Sequence, residues 1–290
     1  MNINEFLKEF QSEEIHYMSN PGNGGDALIA YGAFSLFKKN NLTIKIVERN
    51  DNLENKILFY AGGGNLNDLY TDCSQFIATH HLKAKKLIVL PHTVVGNDNL
   101  LKALNKNVYI ICREKKSFEH VSKFTNLNVL LIEDLAFNIN PFEDFKLKKT
   151  NSRLLYLLNY KTIISFLIKD FNKFKKILKS YKNHKILHAY REDSESSFEA
   201  PKNNIDISDI INMDGTMKDE KLVSMTTQGI FSFLNQFETI YTNRLHICIA
   251  SALLNKNVYF YGNSYWKNES VYKHSIENKF PKVKWMGYEL

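Results

Sequence analysis

Cysteine is scarce in this chain and long apolar runs are lacking, and both absences narrow what it can be. Cys73, Cys112 and Cys248 are the only cysteines in 290 residues. They form no CxxC pair and have no histidine at metal-ligand spacing, so neither a disulfide framework nor a metal site is expected, and a reducing cytoplasm fits best. No window approaches the roughly 18 consecutive apolar residues that a membrane-spanning helix needs. The opening MNINEFLKEFQSEE carries acids and no long apolar stretch, so no secretory signal is expected either. GxGxxG is missing, as is the lysine–serine pair of a Walker loop, and neither a dinucleotide nor a nucleoside triphosphate is indicated. There is no internal repeat and no low-complexity tract.

What is present is ample core material, 44% apolar and 13% aromatic. The length exceeds the usual single domain, and two are expected: residues 1–140, a linker at 141–152 that begins at Pro141, and residues 153–290. The net charge of +7 suits nucleic acid, anionic lipid or an anionic substrate, and charge alone does not choose among them. Lysines concentrate between Lys169 and Lys185, where Phe171, Phe174, Ile177, Leu178 and Tyr181 recur at helical spacing. That pattern reads as a basic amphipathic helix, either an ordinary solvated face or a surface for peripheral contact with membrane headgroups or a lipid-linked acceptor.

Short β-branched or aromatic runs alternate with helix-length segments. Strands are expected at Glu14–Met18, Thr43–Glu48, Ile57–Tyr60, Leu87–Leu90, Asn107–Cys112 and Asn128–Ile132, with helices at Ala27–Lys39, Asp68–His80 and Leu100–Leu104. Such alternation predicts an α/β fold, a parallel Rossmann-like sheet with helices on both faces. The second half is less regular, with apolar runs at Arg153–Leu158, Lys185–Ala189, Phe237–Tyr241 and Asn257–Tyr261, and reads as a smaller α/β domain.

Candidate functional residues fall at the C-terminal ends of these strands, where open α/β sheets bind ligands. After the first strand come Asn23, Gly24, Gly25 and Asp26, a turn in which glycine permits close backbone approach and Asp26 is placed to cap a helix. After the third come Gly62, Gly63, Gly64, Asn65 and Asp68. His92 follows the fourth strand, and Arg113 the fifth, where an ion pair with Glu114 or Glu119 is the plain alternative. His80 and His81 lie in a segment read as solvent-facing. Arg191 opens an alternating-charge segment that reads as a solvated loop. Most informative is Thr242-Asn243-Arg244-Leu245-His246, which puts a guanidinium and an imidazole at a helix N-terminus, a place that favours anions. Lys267, past the last clear strand, is placed to add a further cation there.

Taken in order, GNGGDALI from Gly22, GGGNLNDLY from Gly62, LPHT from Leu90, CRE from Cys112, EDLAF from Glu133, RLHICIASALL from Arg244 and GNSYWKN from Gly262 resemble the polysaccharide pyruvyl transferase family across nearly the whole chain. The resemblance implies two Rossmann-like domains facing across a cleft in the glycosyltransferase B manner. It also implies transfer of a pyruvyl group from phosphoenolpyruvate, as co-substrate without a further cofactor, to a glycan or lipid-linked sugar acceptor. By the same resemblance Arg244 and His246 hold and activate phosphoenolpyruvate, His92 does acid/base work, and Arg113 and Lys267 add positive charge. Asn23, Asp26, Asn65 and Asp68 shape the acceptor side, and Arg191 opens an RxDxE segment known from a bacterial exopolysaccharide branch. No nucleic-acid partner is implied, and oligomeric state is left open. Two rivals remain: a glycosyltransferase of the same architecture that uses a nucleotide sugar, and a non-catalytic adaptor of polysaccharide assembly.

Overall fold

A computed structural model describes residues 2–124, 128–147, 185–211 and 217–289. The chain divides into two compact units, the first made of Met1–Pro21 and Ile29–Asn138, the second of Gly22–Leu28 and Ile139–Leu290. Arg153–Leu158, most of the basic segment up to Lys185 and residues 148–152 of the expected linker lie outside the described residues.

The first unit is built on a parallel sheet. Its described strands are β1 (Glu14–Met18), β2 (Thr43–Ile46), β3 (Ile57–Tyr60), β4 (Gly63–Leu66), β5 (Lys86–Val94), β6 (Val108–Cys112) and β7 (Asn128–Leu131). They run in the order β2-β1-β3-β5-β6-β7, with β4 paired to β5. Both faces are covered, so β3 buries all four residues of its ILFY run, as expected of a strand inside a doubly wound sheet. Leu58 and Tyr60 pack with Leu66, Cys73, Ile77, Leu87 and Val89. On the opposite face Phe59 meets Phe10 at 5.1 Å between ring centroids, and Tyr17 meets Phe37 at 5.3 Å.

Helix α1 (Ile3–Lys8) precedes β1, helices α2 (Gly24–Lys39), α3 (Asp72–His80), α4 (Asp98–Ala103) and α5 (Lys115–Val121) connect strands, and α6 (Pro141–Asp144) follows β7. The strand order reverses between β1 and β3, so their C-terminal ends mark the topological switch point of this sheet. Two details depart from expectation. The triple-glycine segment is strand β4 rather than a simple turn, and it extends β5 through Val94 by giving Gly63 a partner in His92. His80 and His81 are buried, not solvent-facing; desolvation lowers both imidazole pKa values, and His80 packs on Phe76 at 4.7 Å.

The second unit holds a smaller parallel sheet. Its described strands β8 (Ile186–His188), β9 (Thr239–Thr242), β10 (Asn257–Phe260) and β11 (Val283–Trp285) lie in sequential order. Register pairs His188 with Tyr241 and Tyr241 with Tyr259, and their rings stack at 5.1 Å and 4.6 Å, a cross-strand ladder of the kind that stabilises sheets. Helices α7 (Ile207–Ile210), α8 (Glu220–Leu234), α9 (Leu245–Leu253) and α10 (Lys267–Val271) complete the described elements used below. Asp219 caps α8 by accepting from Leu222 N–H at 3.0 Å, and Val223, Ile230, Phe231 and Phe233 face its core. No described helix is long and apolar enough to cross a membrane.

Candidate active site

The start of α9 is set by one hydroxyl. Thr242 Oγ1 donates to the Ala189 carbonyl at 2.7 Å and accepts from Arg244 N–H at 3.0 Å. This ties the end of β9 to the end of β8 and leaves Arg244 at the N-cap, in extended backbone geometry, with His246 in the first turn. The arginine side chain is forked on Asp206, Nε to Oδ1 at 2.9 Å and Nη2 to Oδ2, and Nη2 also lies 3.0 Å from Asp193 Oδ2.

Asp193 leads to the second arginine. Arg191 donates to Asp193 through Nε at 2.7 Å and Nη2 at 3.0 Å, and through Nη1 to Glu195 Oε2 at 2.5 Å. The same Glu195 oxygen accepts from Lys267 Nζ at 2.7 Å. Arg191, Arg244 and Lys267 thus form one continuous array with Asp193, Glu195 and Asp206, and five of the six are buried. Burial alone would raise the Glu195 carboxyl, but Lys267 and Arg191 outweigh it and hold the group at about 2. Asp193 is likewise lowered, because hydrogen bonding from Arg191 and the charges of Arg244 and Arg191 overcome desolvation.

Three buried asparagines frame the array. Asn243 Oδ1 accepts from Arg191 N–H at 2.8 Å, and Asn268 Nδ2 donates to the Asn243 carbonyl at 2.7 Å. With its amide oriented to satisfy both ends, Asn263 accepts from Arg191 Nη1 at 2.9 Å.

His246 is half-buried and lies against the first turn of α2, which belongs to the same unit. A methyl group on Gly25 would come 3.1 Å from His246 Nδ1, and one on Gly24 would sit 2.4 Å from the Ile211 carbonyl. These two glycines therefore exist for close packing on His246 and on the segment after α7. Asn23 and Asp26 cap α2 reciprocally: Asn23 Oδ1 accepts from Gly25 N–H at 2.8 Å and Asp26 Oδ2 from Asn23 N–H at 2.9 Å, satisfying first-turn donors.

In the first unit, His92 is completely buried beside β4. Its Nε2 lies 2.8 Å from Asn65 Oδ1 and 3.2 Å from Asn65 N, so the tautomer decides which of the two is the hydrogen bond. Asn65 Nδ2 donates to Asn20 Oδ1 at 2.7 Å, and Tyr60 Oη to the same oxygen at 3.1 Å. Desolvation, helped by the Arg113 charge, pushes the His92 imidazole down to about 3. Gly63 lets this cluster close, since a methyl group there would lie 2.6 Å from Asn20 Nδ2. The Gly64 carbonyl accepts from Asn67 Nδ2 at 2.8 Å, while Asp68 is exposed beside Gly96.

Arg113 lies within the protein interior. It donates through Nη1 to Asp134 Oδ2 at 2.7 Å and through Nε to Thr93 Oγ1 at 2.9 Å. The ion-pair partner is Asp134 rather than Glu114 or Glu119; Glu114 instead caps α5 by accepting from Ser117 N–H at 2.9 Å.

The structure therefore brings Arg191, Arg244 and Lys267 together, sets Gly24 and Gly25 against the turn that carries His246, and joins His92 to Asn65 and Gly63. Sequence reasoning missed Asp206, Asn20, Tyr60, Asp134 and the asparagine frame. It also read the segment after Ala189 as a solvated loop, whereas Arg191 and Glu195 are buried; their i,i+4 spacing was the available signal.

Comparison with known proteins bears on this arrangement. The profile of the polysaccharide pyruvyl transferase family matches residues 23–265, from the cap of α2 to the loop before Lys267. A Bacillus subtilis (strain 168) protein provisionally named as the pyruvyl transferase EpsO is 24% identical over 300 residues, covering 90% of this chain and 85% of the relative. A crystal structure of a functionally uncharacterised Klebsiella pneumoniae protein superposes with a TM-score of 0.78 at 28% identity, covering 98% of this chain and 96% of that one. The chain belongs to the polysaccharide pyruvyl transferase family. Membership supports pyruvyl transfer to a polysaccharide as its chemistry.

Proposed function

We propose that the protein transfers the pyruvyl group of phosphoenolpyruvate to two hydroxyls of one sugar in a cell-surface glycan or its lipid-linked precursor. The observation that carries this reading is the gathering of Arg191, Arg244 and Lys267 at the helix start that bears His246. Phosphoenolpyruvate is small and carries both a carboxylate and a phosphate. It calls for guanidinium forks and a helix N-terminus and needs no base or ribose pocket.

In the reaction, one sugar hydroxyl adds to C2 of the enol while C3 takes up a proton. The second hydroxyl then displaces phosphate from C2, closing the ketal, and its proton leaves with inorganic phosphate. Arg244 and Arg191 bind the anionic groups, Lys267 supports them, and His246 donates the proton to C3. The burial that keeps His92 neutral favours a positioning role: it orders Asn65, Asn20 and Tyr60 at the switch point of the first sheet, where acceptor hydroxyls would meet Asn65 and Asp68. On this reading the two units are the halves of a glycosyltransferase B-like enzyme. The reaction takes place in the cytoplasm, where three buried, unpaired thiols are at home.

The test offers phosphoenolpyruvate and nucleotide sugars separately with a host glycan extract, following phosphate release and product mass. Acceptor-dependent phosphate release, with the mass of a pyruvyl ketal added to the glycan, is the expected result. Consumption of a nucleotide sugar instead would identify a glycosyltransferase.

A further inference from the structure

The three acids of the array differ in one respect. Glu195 and Asp206 are sealed, with side chains 7% and 6% exposed, whereas that of Asp193 is 42% exposed. Asp193 is also the acid shared by the two arginines, its Oδ2 lying 3.0 Å from Arg191 Nη2 and 3.0 Å from Arg244 Nη2. Without it, the sealed set of Arg191, Arg244, Lys267, Glu195 and Asp206 keeps one positive charge in excess. Arg244 would still be forked on Asp206, and Arg191 and Lys267 would still share Glu195.

We propose that the Asp193 carboxylate is an internal surrogate for the anionic group of the substrate, seated between Arg191 and Arg244 until a small carboxylate or phosphate displaces it toward solvent. A surrogate anion at this partly exposed position offsets the excess charge of the empty array, while the buried pairs with Asp206 and Glu195 carry its structure. The arginines need not be reorganised when the ligand arrives, because Asp206 and Glu195 already hold them. A neutral ligand offers no charge to replace that of Asp193 and is rejected, which makes the seat selective for anions. Asp193 competes with every ligand, so affinity is set below what the two guanidinium groups alone would give. The inference rests on the proposed function only in naming phosphoenolpyruvate as the physiological ligand; the seat itself asks for any small oxyanion.

The experiment titrates inorganic phosphate and, separately, pyruvate into wild-type protein, Asp193→Asn, Asp193→Ala and Glu192→Gln by calorimetry. Thermal melts run in parallel. Asp193→Asn removes the competing charge and keeps an oxygen for the Glu195 N–H, which Asp193 Oδ1 accepts at 3.1 Å. Binding of at least one anion should tighten on the order of tenfold, equivalent to about 1.4 kcal/mol, and at least as much in Asp193→Ala. Glu192→Gln, which removes a neighbouring charge outside the seat, should change affinity less than twofold. Equal or weaker anion binding in both Asp193 variants overturns the proposal. So does equal tightening in Glu192→Gln, or failure of the Asp193 variants to fold, because a displaceable surrogate carries little of the fold. Tightening without any phosphoenolpyruvate turnover would reject the proposed reaction and leave the seat standing. Turnover without tightening would do the reverse.

Discussion

Arg113 and Arg244 both follow a parallel strand and both are buried, yet their surroundings differ: one is sealed among buried partners, and the other shares an acid that reaches solvent. Arg113 is sealed with Asp134 and Thr93, and every partner is as buried as the guanidinium itself. Arg244 stands at a helix start, shares an array with Arg191 and Lys267, and touches one acid that reaches solvent. Charge count and strand position do not distinguish the two. Exposure of the partner does: Asp134 is sealed, whereas Asp193 reaches solvent, and on the proposed reading only such a partner can give way to a substrate anion.

Breaking the second unit's chemistry should give the largest effect. His246→Ala is expected to reduce phosphate release by about 10²- to 10⁴-fold, the usual contribution of a general acid, while circular dichroism and the melting temperature stay near wild type. Retained turnover would move the proton donor elsewhere. Breaking the first unit's ion pair should act on the fold instead. Asp134→Ala leaves Arg113 buried without its carboxylate and should cost about 3–5 kcal/mol by denaturant unfolding. A conformational loss under about 1 kcal/mol would mean that water reaches this arginine.

The pH dependence sharpens the same contrast. His92 is held at about 3 against an ordinary 6.5, so between those values the unfolded chain binds a proton that the folded chain refuses. Its contribution to stability is complete above about 6.5 and is lost as pH falls toward 3. His16, His80 and His81, all lowered chiefly by desolvation, act with the same sign. Glu195, held at about 2 against 4.5, favours folding above 4.5 and loses that effect as pH falls toward 2. Melting temperature against pH should therefore become flatter from 6.5 downward in His92→Gln, and flatter only below 4.5 in Glu195→Gln. Identical curves for the two variants would contradict these assignments. The smallest effect is local: Asp26→Ala removes half of the reciprocal cap of α2 and should cost about 1 kcal/mol, read by thermal melting.

Much of the framework was legible because period and burial coincide. Fully buried strands such as Ile57–Tyr60 read as continuous apolar runs, and the apolar stretch before Thr242 followed by a helix-forming stretch located the start of α9. The partners of the charged residues were not legible. Asp206 lies 38 residues before Arg244, at the N-cap of a four-residue helix, and nothing local in the sequence links the two. Glu114 looked like a partner for Arg113 because it is adjacent, but its side chain is committed to Ser117 and the tertiary fold supplies Asp134. The glycine segments were legible as places of close backbone approach, yet the second is strand β4 rather than a turn, and Gly24 and Gly25 answer to packing on Ile211 and His246, contacts that spacing along the chain does not encode.

The central claim, that phosphoenolpyruvate is bound at the start of α9, is tested most directly by following histidine ring resonances in ¹⁵N-histidine-labelled protein during a phosphoenolpyruvate titration without acceptor. The account predicts that the His246 resonances shift saturably, while His92 stays neutral at pH 7 and unmoved. A saturable shift of His92 with His246 silent would contradict it.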